Sequence, residues 1–286
     1  MYLRIRSIST SLICFLCLSS SMVAQSPWTP GHNKGYSHLA FSTLYKYNQI
    51  FEGNLNNLTP LDGTISEFTL QSYTEYGIGD QLGIILSVPL RSITTAPAAT
   101  STLIGSGDLI GLGNIELGLK YKILDGATTA ALGLTVSLNT SREHSDENLG
   151  IRTGYDAVGV SPFLSIGRGF DRSYLYGNIG YEANSNDFSD FLKFEIEYGR
   201  KYWDQLWIIA AFNLKEIASK SEKTFAPAQA LTRLYINDQF YNSLSLKLIY
   251  EQSDKAGFNF SANLISIRAN NLPFRSPLSV GYYRKW

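Results

Sequence analysis

The fold class is indicated most clearly by one stretch, Asn114-Ile115-Glu116-Leu117-Gly118-Leu119-Lys120-Tyr121-Lys122-Ile123. Every second residue in it is apolar, and the residues between are polar, charged or glycine. Side chains of a β-strand alternate between the two faces of its sheet. The stretch therefore predicts a strand with one apolar face and one polar face.

The same two-residue period recurs along the whole chain. It is clearest at Thr129–Asn139, Phe191–Tyr202 and Ser243–Glu251. Weaker examples are Gly35–Tyr47, Ile65–Gly77, Gln81–Arg91, Tyr155–Gly167, Ser173–Ala183, Leu206–Lys215, Gly257–Arg268 and Leu278–Trp286. We predict an all-β chain of about 12 strands, with ends placed to within a few residues. Lys215–Leu234 has room for a short helix but is treated as a loop.

The connections between the predicted strands alternate in length. The long ones are Asn48–Thr64, Ser92–Ser106, Thr140–Gly154 and Glu216–Asn237, and Asn184–Asp190 and Ala269–Pro277 are intermediate. The short ones are Gly77–Asp80, Leu124–Ala127, Gly169–Arg172, Trp203–Gln205 and Gln252–Ala256. Outer-membrane barrels have short periplasmic turns and long outward loops. The rhythm predicts a transmembrane, up-and-down antiparallel β-barrel.

A soluble β-sandwich also shows alternation, but two features favour the barrel. The predicted strands have about 9 to 13 residues, which exceeds the usual 5 to 6 and suits a bilayer. Aromatic residues also cluster near strand ends, as in the interfacial girdles of barrels. These clusters are Tyr45 and Tyr47, Tyr73 and Tyr76, Tyr198 with Tyr202 and Trp203, and Tyr282 with Tyr283 and Trp286.

If the apolar rows face lipid, the polar rows face a lumen. The candidate lumen residues carry both charge signs: Glu67, Glu75, Glu116, Lys120, Lys122, Lys193, Glu195, Glu197, Lys201, Lys247 and Glu251. Ionised groups inside a membrane protein are paired or hydrated. The lumen then either keeps a narrow water path or is filled by salt bridges, and the sequence is compatible with both.

Composition and the N-terminus point to export. Only 17% of residues are charged and the net charge is zero, so nothing favours nucleic-acid binding. Arg4 and Arg6 precede the apolar, serine-rich stretch 8–23, and cleavage is expected after Ala24. We expect a signal peptide at 1–24 and a barrel at 25–286. The two cysteines, Cys14 and Cys17, lie in that leader, which leaves no thiol chemistry in the mature chain.

The C-terminus resembles the assembly signal of outer-membrane barrels. Tyr282 and Trp286 are the aromatic residues that we expect the outer-membrane assembly machinery to recognise. Arg284 departs from that pattern, because an apolar or aromatic residue is expected there. The expected location is the bacterial outer membrane, with membrane lipid as the surroundings.

Short motifs resemble the outer-membrane transporters named after the MetA pathway of phenol degradation. The hairpin Thr74–Pro89 resembles that family's E-Y-G-turn-L-x-alternating-P pattern. Gly105–Asp108 followed by Asn114–Lys122 resembles its G-x-G-D … L-G-L-K-Y strand, and Gly177–Tyr181 its N-x-G-Y strand. The likeness covers roughly residues 73 to 198. It implies a barrel that moves small hydrophobic or aromatic compounds.

Three segments were considered for other chemistry. Gly105–Asp108 is glycine-rich, but a strand follows it where a phosphate loop needs a helix, so it predicts a turn. Arg142–Glu147 is charged and is expected to be a solvated outer loop rather than a metal site. His38 and Ser42 share a strand face, but no carboxylate accompanies them as a hydrolase requires.

The function expected from the sequence is therefore passive passage of small solutes, with no enzyme activity, cofactor or metal. Selectivity would come from the lumen charges and the outer loops. The alternatives are a non-conducting structural or surface-binding barrel, whose long loops meet a partner, and a secreted soluble β protein. The segment Trp28-Thr29-Pro30-Gly31 has no role that the sequence assigns.

Overall fold

The computed structural model describes residues 26–101 and 103–286. The expected signal peptide at 1–24 lies outside these residues, as do both cysteines. No helix in the described part of the chain is long and apolar enough to cross a bilayer. The described chain is almost entirely β-structure, as the alternating pattern predicted.

Fourteen strand segments are present in the described residues. They are β1 Gly35–Glu52, β2 Asn54–Gly77, β3 Leu82–Pro97, β4 Gly107–Leu112, β5 Ile115–Leu124, β6 Thr128–Leu138, β7 Gly159–Gly169, β8 Ser173–Asn184, β9 Asp190–Tyr202, β10 Leu206–Ser219, β11 Phe240–Ser253, β12 Ala256–Asn270, β13 Leu272–Pro273 and β14 Leu278–Lys285. Two short helices lie in loops, a 3-10 turn at Glu147–Leu149 and α1 at Pro227–Thr232.

These segments close into one antiparallel barrel. Neighbouring wall strands pair with each other, and β1 closes the ring by pairing with both β2 and β14. Both β4 and β5 pair with β3 and form one interrupted wall strand, while β13 pairs only with the far end of β1. The described residues therefore build a barrel of 12 wall strands, which confirms the predicted fold class.

Two parts of the prediction were wrong in detail. The predicted loop 48–64 is strand: β1 and β2 run on to a hairpin whose single linking residue, Gly53, has a φ of 82°. The two strands pair there through Gln49 with Pro60, Ile50 with Thr59 and Phe51 with Leu58. The region treated as a loop contains the helix α1, Pro227–Thr232, which has proline in its first turn. The residue that caps its C-terminus, Arg233, has a left-handed backbone conformation.

The outer surface is apolar and the inner surface is polar. Leu117, Leu119 and Tyr121 are about half exposed on the outer face of β5. Lys120, which lies between Leu119 and Tyr121 in the sequence, faces inward and is fully buried. Other exposed apolar residues on wall strands include Leu39, Phe41, Leu70, Leu86, Leu132, Leu134, Leu164, Ile166, Ile196 and Val280. Closure of the sheet pairs the backbone N–H and C=O groups of its strands, and the apolar outer face can then contact lipid.

The girdle prediction holds for the outward aromatic residues only. Tyr45, Trp203 and Trp286 are at least half exposed. Tyr47, Tyr73 and Tyr283 were predicted as girdle residues but are buried inside. In a strand, a residue next to an outward one faces inward. This accounts for Tyr283, which is adjacent to the outward Tyr282, and for Tyr73, which lies three positions before Tyr76. Tyr47 turns inward for another reason: β1 has an irregularity between Leu44 and Tyr47, where Lys46 has a φ of 47°.

The barrel has two distinct ends. The end with the short connections, including Ile78–Gln81 and Asp254–Lys255, also holds the start of β1 and the end of β14; we call it the turn end. The opposite end, with residues 98–106, 139–158 and 220–239, is the loop end. By the usual arrangement of outer-membrane barrels, the turn end faces the periplasm.

Candidate functional site: a lumen closed at both ends

Inward-facing strand positions carry all eleven charged residues predicted for the lumen. Some of them pair with one another: Lys120 with Glu75 at 2.6 Å, Lys247 with Glu197 at 3.0 Å, and Lys201 with Glu251 at 2.5 Å. Three others pair with residues outside the predicted set: Glu67 with Arg91, Lys193 with Glu182, and Lys122 with Asp125 beside a short turn. The last two, Glu116 and Glu195, line a cavity. Their part in solute passage stays a prediction.

Sequence reasoning missed three charged residues of the lumen. Arg91, Glu182 and Lys215 line the same cavity as Glu116 and Lys193. Each lies near the end of a predicted strand, and its place in the two-residue alternation was a usable signal.

Two cavities occupy the lumen. Cavity A has a volume of about 140 Å³, and its charged lining residues are Arg91, Glu116, Glu182, Lys193, Glu195 and Lys215. Cavity B has a volume of about 240 Å³ and is lined largely by serine, asparagine and tyrosine side chains. Gln71, Ser87, Glu195 and Tyr241 line both cavities. The two spaces are therefore neighbours inside one barrel.

Apolar side chains close the lumen at the loop end. Residues 139–158 and 220–239, which we call the loop cap, fold inward against β1, β2 and β3. The buried cluster comprises Leu44, Tyr47, Ile50, Leu61, Ile65, Ile93, Ile104, Ile151 and Leu234. The Thr232 hydroxyl donates to the Gly150 carbonyl at 2.7 Å and so ties the two segments of the cap together. The cap is thus packed as a small hydrophobic core.

Arg91 ties the loop cap to the barrel wall. Its guanidinium lies 3.5 Å from the Glu67 carboxylate of β2 and donates to the Thr153 carbonyl at 2.7 Å. It also lies 4.9 Å from the ring centroid of Tyr235. One side chain of β3 therefore contacts the neighbouring strand and both segments of the cap.

Two tyrosines of the cap act as hydrogen-bond donors. The Tyr235 hydroxyl donates to Glu67 at 3.0 Å, and the Tyr155 hydroxyl donates to the side-chain oxygen of Gln239. Their rings contact edge to face, with centroids 5.4 Å apart. Burial raises the pKa of both phenols above their usual value, so they remain protonated donors at neutral pH.

A segment before β1 closes the turn end. We call Ser26–Lys34 the strap. Lys120 donates from its ammonium to the carbonyl oxygens of Ser26 at 2.9 Å and Trp28 at 2.8 Å, while also pairing with Glu75. This ammonium uses its three protons on three partners. The strap therefore begins inside the lumen, held by a buried ion pair.

Trp28 and Pro27 pack against the inner faces of β7 and β8. The Trp28 ring meets Tyr174 and Tyr176 edge to face, with centroids 5.8 and 6.0 Å apart. Pro27 is fully buried, and a Cβ at Gly167 would lie 2.8 Å from its Cγ. The missing side chain at Gly167 thus makes room for the strap. This segment is the one to which the sequence assigned no role.

The strap leaves the lumen across a short turn. Thr29 and His32 hydrogen-bond to residues of the turn 78–81, with the His32 ring nitrogen 2.7 Å from the Ile78 carbonyl oxygen. A side chain at Gly77 would collide with the Gly31 carbonyl, so glycine is required for this close approach. The strap then continues directly into β1.

The other segments considered for chemistry have structural contacts. Gly105, predicted to lie in a turn, accepts a hydrogen bond from Thr95 at 2.8 Å. In the loop 142–147, Glu143 pairs with Arg152, and no group of three metal-ligating side chains exists among the described residues. His38 Nε2 lies 2.6 Å from Asn259 Nδ2, and both side chains line cavity B with Ser42.

No family model and no curated protein matches this chain. Among solved structures, an outer membrane channel from Pseudomonas putida F1 has a TM-score of 0.61 at 12% identity, covering 90% of this chain and 96% of the channel. The Pseudomonas putida toluene transporter TodX has a TM-score of 0.45 at 10% identity, covering 94% and 95%. The NanC porin has a TM-score of 0.48 at 8% identity, covering 86% and 97%.

The first of these likenesses establishes the class of fold, a transmembrane β-barrel of the outer-membrane type. That class agrees with the barrel implied by the sequence resemblance. The apolar outer face of the barrel is suited to contact with lipid.

Proposed function

We propose that this protein is an outer-membrane channel that lets small solutes pass by diffusion and rests in a closed state. The observation that carries the proposal is the pair of polar cavities inside the barrel, with volumes of about 140 and 240 Å³. Side chains can fill the interior of a barrel of about eight strands, whereas this barrel of 12 wall strands keeps open space between its inward-facing side chains.

The strap is the part proposed to move. It contributes no strand to the barrel wall, and its lumenal end is fastened through Lys120 and the Trp28 ring. Releasing it breaks no hydrogen bond between wall strands, so the barrel stays closed against lipid while its lumen opens to the periplasm. The loop cap provides a second closure on the outer side.

Single-channel conductance in a planar bilayer tests the proposal. The refolded protein is compared with a variant lacking Ser26–Pro30, and the heat-dependent shift in gel mobility serves as the folding control. Discrete, salt-dependent current steps that are larger or more frequent in the deletion variant would support a channel closed by the strap. If both folded proteins lack steps, the channel proposal is wrong.

The second candidate is a non-conducting barrel that binds a partner at its outer loops. Its support is the closure of both ends and the packed loop cap. The absence of conductance in the deletion variant would favour it. For a channel, the resemblance to the phenol-degradation family suggests hydrophobic or aromatic cargo, and uptake of such compounds by cells expressing the protein measures this directly.

Export and assembly form part of the same proposal. Residues 1–24 would direct secretion, and Tyr282 and Trp286 would serve the outer-membrane assembly machinery. Tyr282 is exposed on the outer face, and the Trp286 ring stacks on Tyr76 with centroids 5.7 Å apart. Replacing Trp286 with alanine should lower the amount of folded barrel in outer-membrane fractions.

A further inference from the structure

Cavity B has a chemical character different from that of cavity A. Its lining comes mainly from the inner faces of β10, β11, β12, β14 and β1, where small polar side chains predominate. They include Ser42, Asn213, Ser243, Ser245, Asn259 and Ser261. Such side chains offer donors and acceptors without charge. Cavity A, by contrast, is surrounded by three basic and three acidic groups.

One hydroxyl of a residue that lines cavity B has no hydrogen-bond partner among the described residues. Ser243 is 1% exposed, and its oxygen forms no hydrogen bond. A buried polar group without a partner is costly, so native structures rarely leave one unless water or a ligand completes it. Nearby, Asn213 donates to Ser245 at 3.2 Å, which leaves further hydrogen-bonding capacity around the same space.

The charges around cavity B disfavour anions. Glu195, Glu197 and Lys247 line the cavity, and the Lys247 ammonium pairs with the Glu197 carboxylate at 3.0 Å. The described lining therefore offers an anion no unpaired ammonium group. An anionic solute would meet carboxyl groups without a free counter-charge, whereas a hydroxyl group could hydrogen-bond to the Glu195 carboxyl.

The lining also disfavours a hydrocarbon, and in this respect it departs from the hydrophobic or aromatic cargo that the sequence resemblance suggests. An apolar solute would cover Asn213, Ser245 and their neighbours without offering them hydrogen bonds, and covering polar groups in this way weakens binding. Tyr36, Tyr73 and Tyr241 supply ring surface together with polar tips. The volume of about 240 Å³ lies below the range typical of sites for drug-sized ligands.

We propose that cavity B binds an uncharged solute carrying several hydroxyl groups, of the size of a monosaccharide or sugar alcohol. The assignment rests on the proposed channel function and names its solute class. Ser243 and Asn213 would hydrogen-bond the hydroxyl groups, and the Glu195 carboxylate would accept from another. The tyrosine rings would cover the carbon backbone of the solute.

Binding is measured separately from conduction. The barrel is refolded in a detergent without a sugar headgroup, and saturation-transfer NMR is recorded with sorbitol, benzoate, toluene and putrescine as four separate probes. Sorbitol titrations are repeated on a Ser243→Ala/Asn213→Ala variant. Its matched control is Ser165→Ala, which removes a buried, unpartnered hydroxyl of β7 that lines neither cavity.

The proposal expects a saturable sorbitol signal that is unaffected by Ser165→Ala. Loss of two hydrogen-bonding groups should weaken sorbitol binding by about tenfold in the double variant. Equal or stronger binding of benzoate, toluene or putrescine would overturn the assignment, as would no sorbitol signal or equal loss in the control. Conductance is measured independently of binding. Current steps without sorbitol binding would refute this inference but not the channel. Sorbitol binding without current steps in the strap-deleted protein would refute the channel but not the binding site.

Discussion

The two ends of the barrel are closed by different physical means. The loop end is closed by nine buried apolar residues drawn from wall strands and inward-folded loops. The turn end is closed by the strap, whose lumenal end is held by the Lys120 ammonium and the Trp28 ring. One closure is a hydrophobic core and the other is a short peptide with a polar fastening.

The difference indicates which end opens more readily. Burying one large aliphatic or aromatic side chain contributes roughly 1.5–3 kcal/mol, so displacing the whole cluster at the loop end is costly. Releasing the strap exposes Trp28 and Pro27 and breaks two hydrogen bonds to Lys120, while Glu75 keeps its ion pair. We therefore expect the turn end to be the working gate.

The largest effect is expected from removing the fastened part of the strap. Deleting Ser26–Pro30 should raise mean single-channel conductance by about an order of magnitude, because the peptide that occupies the lumen at the turn end is gone. Planar-bilayer recording measures it. If this deletion left conductance unchanged while a substitution in the loop cap raised it, the gate would lie at the loop end and not at the turn end.

The next largest effect concerns the ion pair beneath the strap. Lys120→Met leaves Glu75 buried without its cation and should lower the free energy of unfolding by about 3–5 kcal/mol, besides releasing the strap. Urea unfolding followed by gel mobility measures the stability. The double variant Lys120→Met/Glu75→Gln removes both charges, so it should recover most of the stability. Because the strap also lacks its Lys120 contacts in this variant, its conductance should stay as high as that of Lys120→Met.

Lys122→Met is the matched control for that substitution. Lys122 lies two residues further along the same strand face and pairs with Asp125, whose side chain is 66% exposed. Exposed ion pairs contribute about 0–1 kcal/mol, and this one does not touch the strap. A loss of stability in Lys122→Met as large as in Lys120→Met would refute the special role assigned to Lys120.

A smaller effect on conductance is expected at the loop end. Arg91→Met removes the contacts with Glu67 and Thr153 but keeps the apolar cluster. Limited proteolysis should cleave residues 139–158 several times faster, while conductance changes little. Arg172→Met, which breaks an exposed pair with Asp204 in the short turns, is the control. A conductance rise matching that of the strap deletion would show that the cap is the gate instead.

The smallest effect is a change in ion preference. Glu195 lines both cavities, so Glu195→Gln in the strap-deleted protein should reduce cation preference by about twofold. The reversal potential under a salt gradient measures the preference. Glu143→Gln, in the outer loop, should leave it unchanged. An unchanged reversal potential in Glu195→Gln would argue against conduction through these cavities.

Local alternation determined the wall of the barrel. The rows in Asn114–Ile123 and Phe191–Tyr202 predicted both the strands and their inward charges, because a strand's faces follow from its two-residue period alone. Lipid on one side and water on the other impose that period only within the membrane. The prediction therefore weakened beyond it, where 48–64 proved to be strand and Pro227–Thr232 helix.

Closure of the lumen was decided by tertiary structure. Nothing near Trp28 in the sequence indicates Lys120, which lies more than ninety residues away along the chain. Arg91 likewise meets Thr153 and Tyr235 only because the barrel brings three distant segments to one end. Sequence patterns report which face a residue occupies, since that depends on its neighbours. Contacts across a lumen depend on how the whole ring closes.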